Sequence, residues 1–186
     1  PFEVVDLPEA DTLEAGDTAP DFTRPLVNEE YWEDRSFSSL TDEGAVLLVA
    51  FPMDGAFPAT YIWNEIRDRG WGGDGLTVVG VSISSPYEHE SFIEEREMAY
   101  DLFSDPDAGV AAAYGIENDL DGMTGVTEHR PAVLLVDEDR TIEYAWAATE
   151  WPDFPDYDEI EAALELPATI APLFPDPSLS GPMRDD

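Results

Sequence analysis

Two kinds of segment alternate along the middle of the chain, and this alternation constrains the fold most. Continuous apolar runs of strand length are followed by segments whose apolar residues recur at helical spacing. The predicted strands are 45–51, 76–83, 132–136 and 141–147, and the predicted helices are 60–69, 87–99, 110–114 and 157–164. Helices between the first strands require parallel pairing, whereas the short acidic turn at 137–140 requires an antiparallel hairpin. The sequence therefore predicts an α/β fold with a central mixed sheet flanked by helices.

The two ends of the chain differ from this middle. Residues 1–36 are polar, acidic and interrupted by prolines, so we expect an irregular arm that includes the first strands. Residues 167–186 contain five prolines and end in acidic residues, which is typical of an extended tail. The single domain between them is expected to span 37–166.

Acidic side chains dominate the composition. The chain has 43 Asp and Glu against eight Arg and no Lys, which gives a formal charge of -35. Such a chain repels itself at low salt, but molar salt shortens the Debye length to ~3 Å and removes most of that repulsion. Because 43% of the residues are hydrophobic and 11% are aromatic, we expect a folded protein of a high-salt cytoplasm rather than an acidic disordered chain. The charge excludes nucleic acid as a partner.

Several other classes of site are disfavoured by the sequence. No apolar stretch approaches the roughly 20 residues that a membrane span needs. Residues 1–6 lack the basic start of a secretion signal. The chain has no cysteine, so disulfides and thiolate metal sites are excluded. The two histidines lack metal-ligand spacing and are expected to be solvated, and the acidic loops need no cation. The residues considered were His89, His129, Asp105, Asp107, Asp119 and Asp121. We predict no metal and no cofactor.

Four stretches, in a fixed order, resemble the peroxiredoxins of the alkyl hydroperoxide reductase and thiol-specific antioxidant (AhpC/TSA) family. They are GDTAPDF at 16–22, VVGVSISSP at 78–86 with the helix after it, LFSDPD at 102–107 with YG at 114–115, and RPAVLLVDED at 130–139. Each stretch is short, but their common order makes the resemblance specific. It covers about residues 16–148 and implies a thioredoxin-like fold of the peroxiredoxin type.

The resemblance also locates the family's reactive cysteine. In the family, the loop after the first core strand reads Pro-x-x-x-Thr-x-x-Cys, and the thiolate attacks peroxide with its pKa lowered by a helix N-terminus and an arginine. Here Pro52 matches the proline, Ala56 replaces the threonine and Ala59 replaces the cysteine. A methyl group has no lone pair, and the neighbouring hydroxyl of Thr60 offers no disulfide route back after oxidation. The chain as written therefore has no catalytic residue for thiol peroxidase chemistry.

The family's arginine is retained as Arg130. Pro131 beside it resembles the proline, often cis, that precedes the third core strand of thioredoxin folds. The resemblance implies that both residues face the start of the helix near residue 60, where a guanidinium and free helix amides would hold a small anion or a peroxide. The alternative is that Arg130 pairs with one of the many carboxylates. The expected pocket is lined by Pro52, Ala56, Ala59, Thr60, Arg130 and Pro131.

Three functions are compatible with these observations. The first is a cysteine-free relative of the peroxiredoxins that keeps the scaffold for binding or assembly. The second is an antioxidant thiol peroxidase whose attacking cysteine was replaced by the alanine at position 59, although such a single change leaves Ala56 unexplained. The third is a sensor or chaperone-like protein that uses the acidic surface and the tail. The family's loop around Phe57 and Pro58 also implies a homodimer or larger homo-oligomer.

Overall fold

The computed structural model describes residues 3–119 and 125–165. The strands are β1 (Val5–Asp6), β2 (Thr23–Val27), β3 (Trp32–Ser36), β4 (Ala45–Ala50), β5 (Leu76–Ser82), β6 (Asp101–Ser104), β7 (Glu117–Asn118), β8 (Glu128–His129), β9 (Ala132–Val136), β10 (Ile142–Ala147) and β11 (Glu150–Trp151). The helices are α1 (Phe37–Thr41), α2 (Ala59–Arg69), α3 (Pro86–Arg96), α4 (Gly109–Ala113) and α5 (Tyr157–Glu165). The expected tail at 167–186 and Asp121 lie outside the described residues, and the division into arm, domain and tail stays a prediction.

Seven of these strands form one mixed sheet in the order β10-β9-β4-β5-β6-β2-β3. Strands β4, β5 and β6 are parallel, as expected for strands joined through helices. Strand β9 is antiparallel to β4 and forms a hairpin with β10 around the acidic turn. The predicted α/β fold with a central mixed sheet is therefore confirmed.

The central strand β4 shows why the sheet is buried on both faces. Its sequence AVLLVA is apolar throughout, as is typical of a parallel strand covered on both sides. Leu48 packs in one hydrophobic core with Phe37. Leu47, whose side chain points the other way, packs in a second core with Ile62 of α2. The sheet thus separates two cores, and helices cover each of them.

The helix boundaries follow local signals in the sequence. The side chain of Ser85 accepts a hydrogen bond from the Glu88 amide, and Pro86 occupies the first turn of α3, as the sequence predicts. Helix α3 ends at Arg96, three residues before the predicted end at 99, because Glu97 adopts a left-handed conformation with φ of 49°. The predicted helices α2, α4 and α5 are present with similar bounds.

Three strands of the sheet were not located by the sequence. Strands β2 and β3 lie within residues 23–36, which the sequence assigns to the arm, and β6 has only four residues. Pro25 lies inside β2 but outside the part that pairs with β6, since that pairing involves only Leu26 and Val27. Proline has no backbone N–H to donate, and it is tolerated at this position because β6 does not pair with it.

The strand register brings the predicted site residues to one edge of the sheet. Ala50, the last residue of β4, is paired with Val81 near the end of β5 and with Ala132 at the start of β9. The loop that follows β4 and the Arg130–Pro131 segment that precedes β9 therefore leave the sheet at the same edge.

Candidate functional site

The residue that the resemblance assigns to the family's cysteine position lies at the start of α2. Ala59 is the first residue of that helix and is fully buried, with 0% of its surface exposed. Pro52 and Pro58 on the loop before it are also buried, whereas Ala56 and Thr60 are half-buried. The assignment of Ala59 to that position stays a prediction, and the side chain found there is a buried methyl group.

The three amides that follow Ala59 at the start of α2 already have acceptors. Thr60 donates to the Ala56 carbonyl at 3.3 Å, and Tyr61 and Ile62 donate to the Pro58 carbonyl at 2.9 and 3.2 Å. Pro58 occupies the N-cap position and provides no side-chain hydrogen bond. The expectation of free amides at this helix start is wrong for these three residues, because the loop folds back and supplies its own carbonyls.

Arg130 is buried and bonded to the backbone. Only 3% of its surface is exposed; Nη1 donates to the Ala148 carbonyl at 3.0 Å and Nη2 to the Pro8 carbonyl at 2.8 Å. Its Nε is buried without an acceptor, and no carboxylate of the described residues forms an ion pair with it. Burial lowers the pKa of this guanidinium. The alternative that Arg130 pairs with a carboxylate is therefore wrong for the described part of the chain.

The peptide bond before Pro131 is not cis. The cis X-Pro bonds within the described residues are Phe57–Pro58 and Trp151–Pro152. A cavity over the loop is lined by Met53, Asp54 and Ala56 on one side and by Trp151 on the other. Ala59, Thr60, Arg130 and Pro131 do not line it. The structure therefore places the six predicted pocket residues at one edge of the sheet without gathering them around one opening.

A buried Asp54–His89 pair at this site was not foreseen. The His89 side chain is 0% exposed; its Nδ1 lies 2.9 Å from both Asp54 oxygens and its Nε2 lies 2.9 Å from the Phe103 carbonyl. A carbonyl oxygen can only accept, so Nε2 donates to Phe103, while Nδ1 faces the carboxyl group of Asp54. The pair fastens the loop to α3.

The second histidine belongs to a buried carboxylate cluster. Asp105 accepts hydrogen bonds from His129 Nε2 at 2.8 Å, from Arg24 Nε at 3.0 Å and from the Val110 amide at 3.0 Å. Burial raises the pKa of Asp105, but the hydrogen bond and charge of His129, with the other donors, outweigh it and hold the pKa below its ordinary value. The expectation of solvated histidines is wrong for both residues. The 35 and 24 residues that separate the two pairs left no spacing signal in the sequence.

The described residues carry neither of two other kinds of site. Among them, no group of three or more histidine, aspartate or glutamate side chains is arranged to hold a metal ion. None of the helices in residues 3–119 and 125–165 is both long and apolar enough to cross a bilayer.

The sequence profile of the AhpC/TSA family matches residues 15–145. The chain belongs to this family. A protein of Haemophilus influenzae named "Putative peroxiredoxin bcp" is 35% identical over 136 residues, which cover 70% of this chain and 83% of that protein. A protein of the same name from Coxiella burnetii is 26% identical over 73% of this chain and 89% of its own length.

Solved structures show the fold of this AhpC/TSA-family chain. Peroxidoxin BcpB from Mycobacterium tuberculosis superposes with a TM-score of 0.68 at 24% identity, over 82% of this chain and 94% of that chain. AhpC from the same organism superposes with a TM-score of 0.65 at 19% identity, over 83% and 98%. The predicted thioredoxin-like fold of the peroxiredoxin type is confirmed.

Proposed function

We propose that this AhpC/TSA-family chain is a binding or assembly protein that does not reduce peroxides through a thiol. The observation that carries the proposal is the buried methyl of Ala59 at the first residue of α2, in a chain that contains no cysteine. Peroxide reduction by a thiolate needs a cysteine that attacks and a second thiol, from the chain or from a reductant, that restores it. This sequence has no cysteine for either role.

Turnover of hydrogen peroxide by the full chain, with thioredoxin, thioredoxin reductase and NADPH, tests this proposal. We expect NADPH consumption to equal that of a reaction without the chain. Turnover that depends on the concentration of the pure protein would contradict the proposal.

The alternative is an antioxidant thiol peroxidase that lost its cysteine by a single replacement at position 59. The peroxiredoxin names of the relatives support it, because the rest of the scaffold is similar to theirs. It predicts that Ala59→Cys alone restores turnover, with Ala112→Cys on the exposed face of α4 as the control. Our proposal predicts little turnover, since the amides of residues 60–62 and the guanidinium of Arg130 are engaged by carbonyls. Sequencing codon 59 of the gene gives an independent answer, because a cysteine codon there would support the alternative and an alanine codon would contradict it.

We also propose a homodimer or larger homo-oligomer, supported by an exposed aromatic patch beside the loop. The patch consists of Phe57, Tyr61 and Phe154, which are 36%, 58% and 41% exposed. Their ring centroids lie 5.3 to 6.2 Å apart in edge-to-face contacts. Contiguous exposed aromatic surface of this kind is typical of protein contacts.

Sedimentation analysis of the full chain tests this assembly. We expect the wild-type protein to associate and Tyr61→Glu to sediment as a monomer. The matched control is Tyr87→Glu, which adds the same charge at a tyrosine that is 72% exposed and lies outside the patch. A monomeric wild type, or equal dissociation by both variants, would count against the assembly.

A small anion or peroxide at Arg130 is the second binding function that we propose. It is supported by the buried guanidinium, which has no carboxylate partner in the described residues and keeps one N–H without an acceptor. Binding would require the Pro8 carbonyl to move, since it occupies Nη2. Titration with sulfate should shift the Arg130 Nε nitrogen resonance to saturation. A resonance that does not respond would refute this site.

We further propose that the chain works in a high-salt cytoplasm. The formal charge of -35 supports this. Exposed like charges repel less as the Debye length falls from ~10 Å at ~0.1 M salt to ~3 Å at ~1 M salt. The free energy of unfolding should therefore rise between these salt concentrations. A free energy of unfolding that stays constant or falls as the KCl concentration rises would contradict the proposal.

A further inference from the structure

The N-terminal part of the chain crosses over Arg130. Residues 5–8, which we call the strap, pair with β11 through β1, and the Leu7 amide donates to the Thr149 carbonyl at 2.9 Å. One residue later, the Pro8 carbonyl accepts a hydrogen bond from Arg130 Nη2 at 2.8 Å. Pro8 is exposed, whereas only 3% of the Arg130 surface is exposed. Movement of the strap would therefore open the guanidinium to solvent.

Few contacts hold the strap in place. Val5 is 56% exposed, residues 6 and 8 are also exposed, and Leu7 is half-buried. Little apolar surface is therefore uncovered when the strap lifts. Its strand pairing involves only the two residues of β1 and the two of β11. Segments with few buried apolar contacts open locally at a low free-energy cost.

The other neighbours of the guanidinium are held more firmly. Ala148, whose carbonyl accepts from Nη1 at 3.0 Å, is 0% exposed, and its amide donates to the Pro131 carbonyl at 2.8 Å. Beyond the strap, the Asp11 carbonyl lies so close to Gly115 that a Cβ on this glycine would clash with it. The chain is thus fixed on both sides of the contact, and the strap is the part that can move.

One edge of the guanidinium suits a ligand with two oxygens. Nε and Nη2 lie on the same edge of the planar group and present parallel N–H bonds. In Arg130, Nε is buried without an acceptor and Nη2 bonds to a single neutral carbonyl. An oxyanion with two oxygens can accept from both nitrogens, and such charge-assisted bonds are stronger than a bond to a neutral carbonyl. It also supplies the opposite charge that no described carboxylate provides.

We propose that Arg130 binds a small oxyanion through Nε and Nη2, and that the strap closes this site when it is empty. This inference rests on the anion site proposed above, and it adds the class of ligand and a gate. Because only the open form binds, the apparent affinity is the intrinsic affinity reduced by the fraction of open molecules. A looser strap therefore tightens binding, and a bound oxyanion in turn keeps the strap open.

Titration of the full chain with potassium formate tests the proposal. Formate replaces KCl at constant ionic strength, so that screening is the same at every point. We expect the Arg130 Nε nitrogen resonance to shift to saturation. We also expect the Leu7 amide, which bonds to Thr149 in the closed form, to exchange its hydrogen faster as formate binds. Unchanged exchange of the Leu7 amide at saturation would contradict the gate.

Leu7→Pro loosens the strap without changing Arg130. The change removes the amide that donates to Thr149, and we expect formate binding to tighten about fivefold, the effect of losing one backbone hydrogen bond. The matched control is Val4→Pro, just outside the strap. Val4 is 55% exposed and its amide donates no backbone hydrogen bond to the described residues, so the affinity should not change. Equal affinities of Leu7→Pro and the wild type would count against the gate.

A reversible cross-link tests the opposite direction. Asp6 and Glu150 are directly opposite each other on β1 and β11, so Asp6→Cys combined with Glu150→Cys allows a disulfide that locks the strap. The chain has no other cysteine, so a reductant opens only this bond. We expect the oxidised form to bind formate at least about tenfold more weakly than the reduced form.

The outcomes separate the gate from the anion site. Saturable binding with the same affinity in the oxidised and reduced forms would overturn the strap and leave the anion site standing. If neither formate nor sulfate shifts the Arg130 Nε resonance in any form, including Leu7→Pro, the anion site itself fails and the gate fails with it.

Discussion

Two buried charged groups lie at the same edge of the central sheet and are neutralised differently. Asp105, after β6, accepts hydrogen bonds from Arg24 and His129 at 3.0 and 2.8 Å, so a guanidinium and an imidazole face one carboxylate. Arg130, before β9, bonds only to two backbone carbonyls, and within the described residues no carboxylate is paired with it. The first group is matched in charge and the second is not.

This difference shows how the fold treats its two buried charges. A buried charge is stabilised mainly by an opposite charge, and backbone dipoles replace that charge only in part. Asp105 faces the guanidinium of Arg24, whereas the guanidinium of Arg130 is held by the Pro8 and Ala148 carbonyls. We therefore expect Asp105 to be essential for stability and Arg130 to be dispensable.

Asp105→Asn should have the largest effect. The change removes the buried negative charge that faces Arg24 and His129 and leaves Arg24 only its longer contact with exposed Asp107, so we expect the free energy of unfolding to fall by about 3 kcal/mol. Urea unfolding at fixed salt measures it. The matched control is Asp107→Asn, because Asp107 contacts the same Arg24 at 3.4 Å but its side chain is 77% exposed. Equal losses from both variants would show that burial of the carboxylate is not decisive.

The contribution of Asp105 should also depend on pH. Its pKa is lowered from the ordinary 3.8 in the folded protein, so its stabilising effect is complete above 3.8 and is lost as the pH falls through the folded value. The difference in unfolding free energy between the wild type and Asp105→Asn should therefore narrow from about pH 5 to about pH 3. Urea titrations at both pH values measure the gap. A difference in unfolding free energy that grows as the pH falls would contradict the lowered pKa of Asp105.

Asp54→Asn should have an intermediate effect, because Asp54, like Asp105, is hydrogen-bonded to a buried histidine. The change removes the carboxyl group that His89 Nδ1 contacts, and we expect the free energy of unfolding to fall by about 2 kcal/mol, typical of a hydrogen bond to a charged group. Exposed Asp119→Asn is the control. Urea unfolding measures the loss. Equal losses from Asp54→Asn and Asp119→Asn would contradict a stabilising role of the pair.

The sequence predicted the part of the site that depends on local order. The strand at 45–50 and the helix that begins at Ala59 are adjacent and strongly patterned, so both elements could be located from the sequence. The assignment of Ala59 to the family's cysteine position stays a prediction. The partners of Arg130 could not, since Pro8 and Ala148 lie 122 and 18 residues away and bind through carbonyls that every residue carries. Hydrogen bonds to backbone carbonyls cannot be predicted from the types of side chain in the sequence.

The fold was predicted least well where tertiary contacts override composition. Strand β3 reads WEDRS, which has no strand pattern, and it forms because its backbone pairs with β2 at the edge of the sheet. Strand β6 has four residues but lies between β5 and β2, where buried Leu102 and Phe103 fill both cores. Both histidines were expected in solvent for a related reason, because their aspartate partners come from other elements.

Arg130→Met should have the smallest effect and gives the sharpest test of the comparison. The change removes a buried cation that has no opposite charge in the described residues, and methionine fills a similar volume. It also leaves the Pro8 and Ala148 carbonyls without this donor, which offsets the gain. We therefore expect the free energy of unfolding to change by less than about 1 kcal/mol in urea. A loss as large as that of Asp105→Asn would mean that a negative group neutralises Arg130 after all, and it would place the missing charge within reach of the guanidinium.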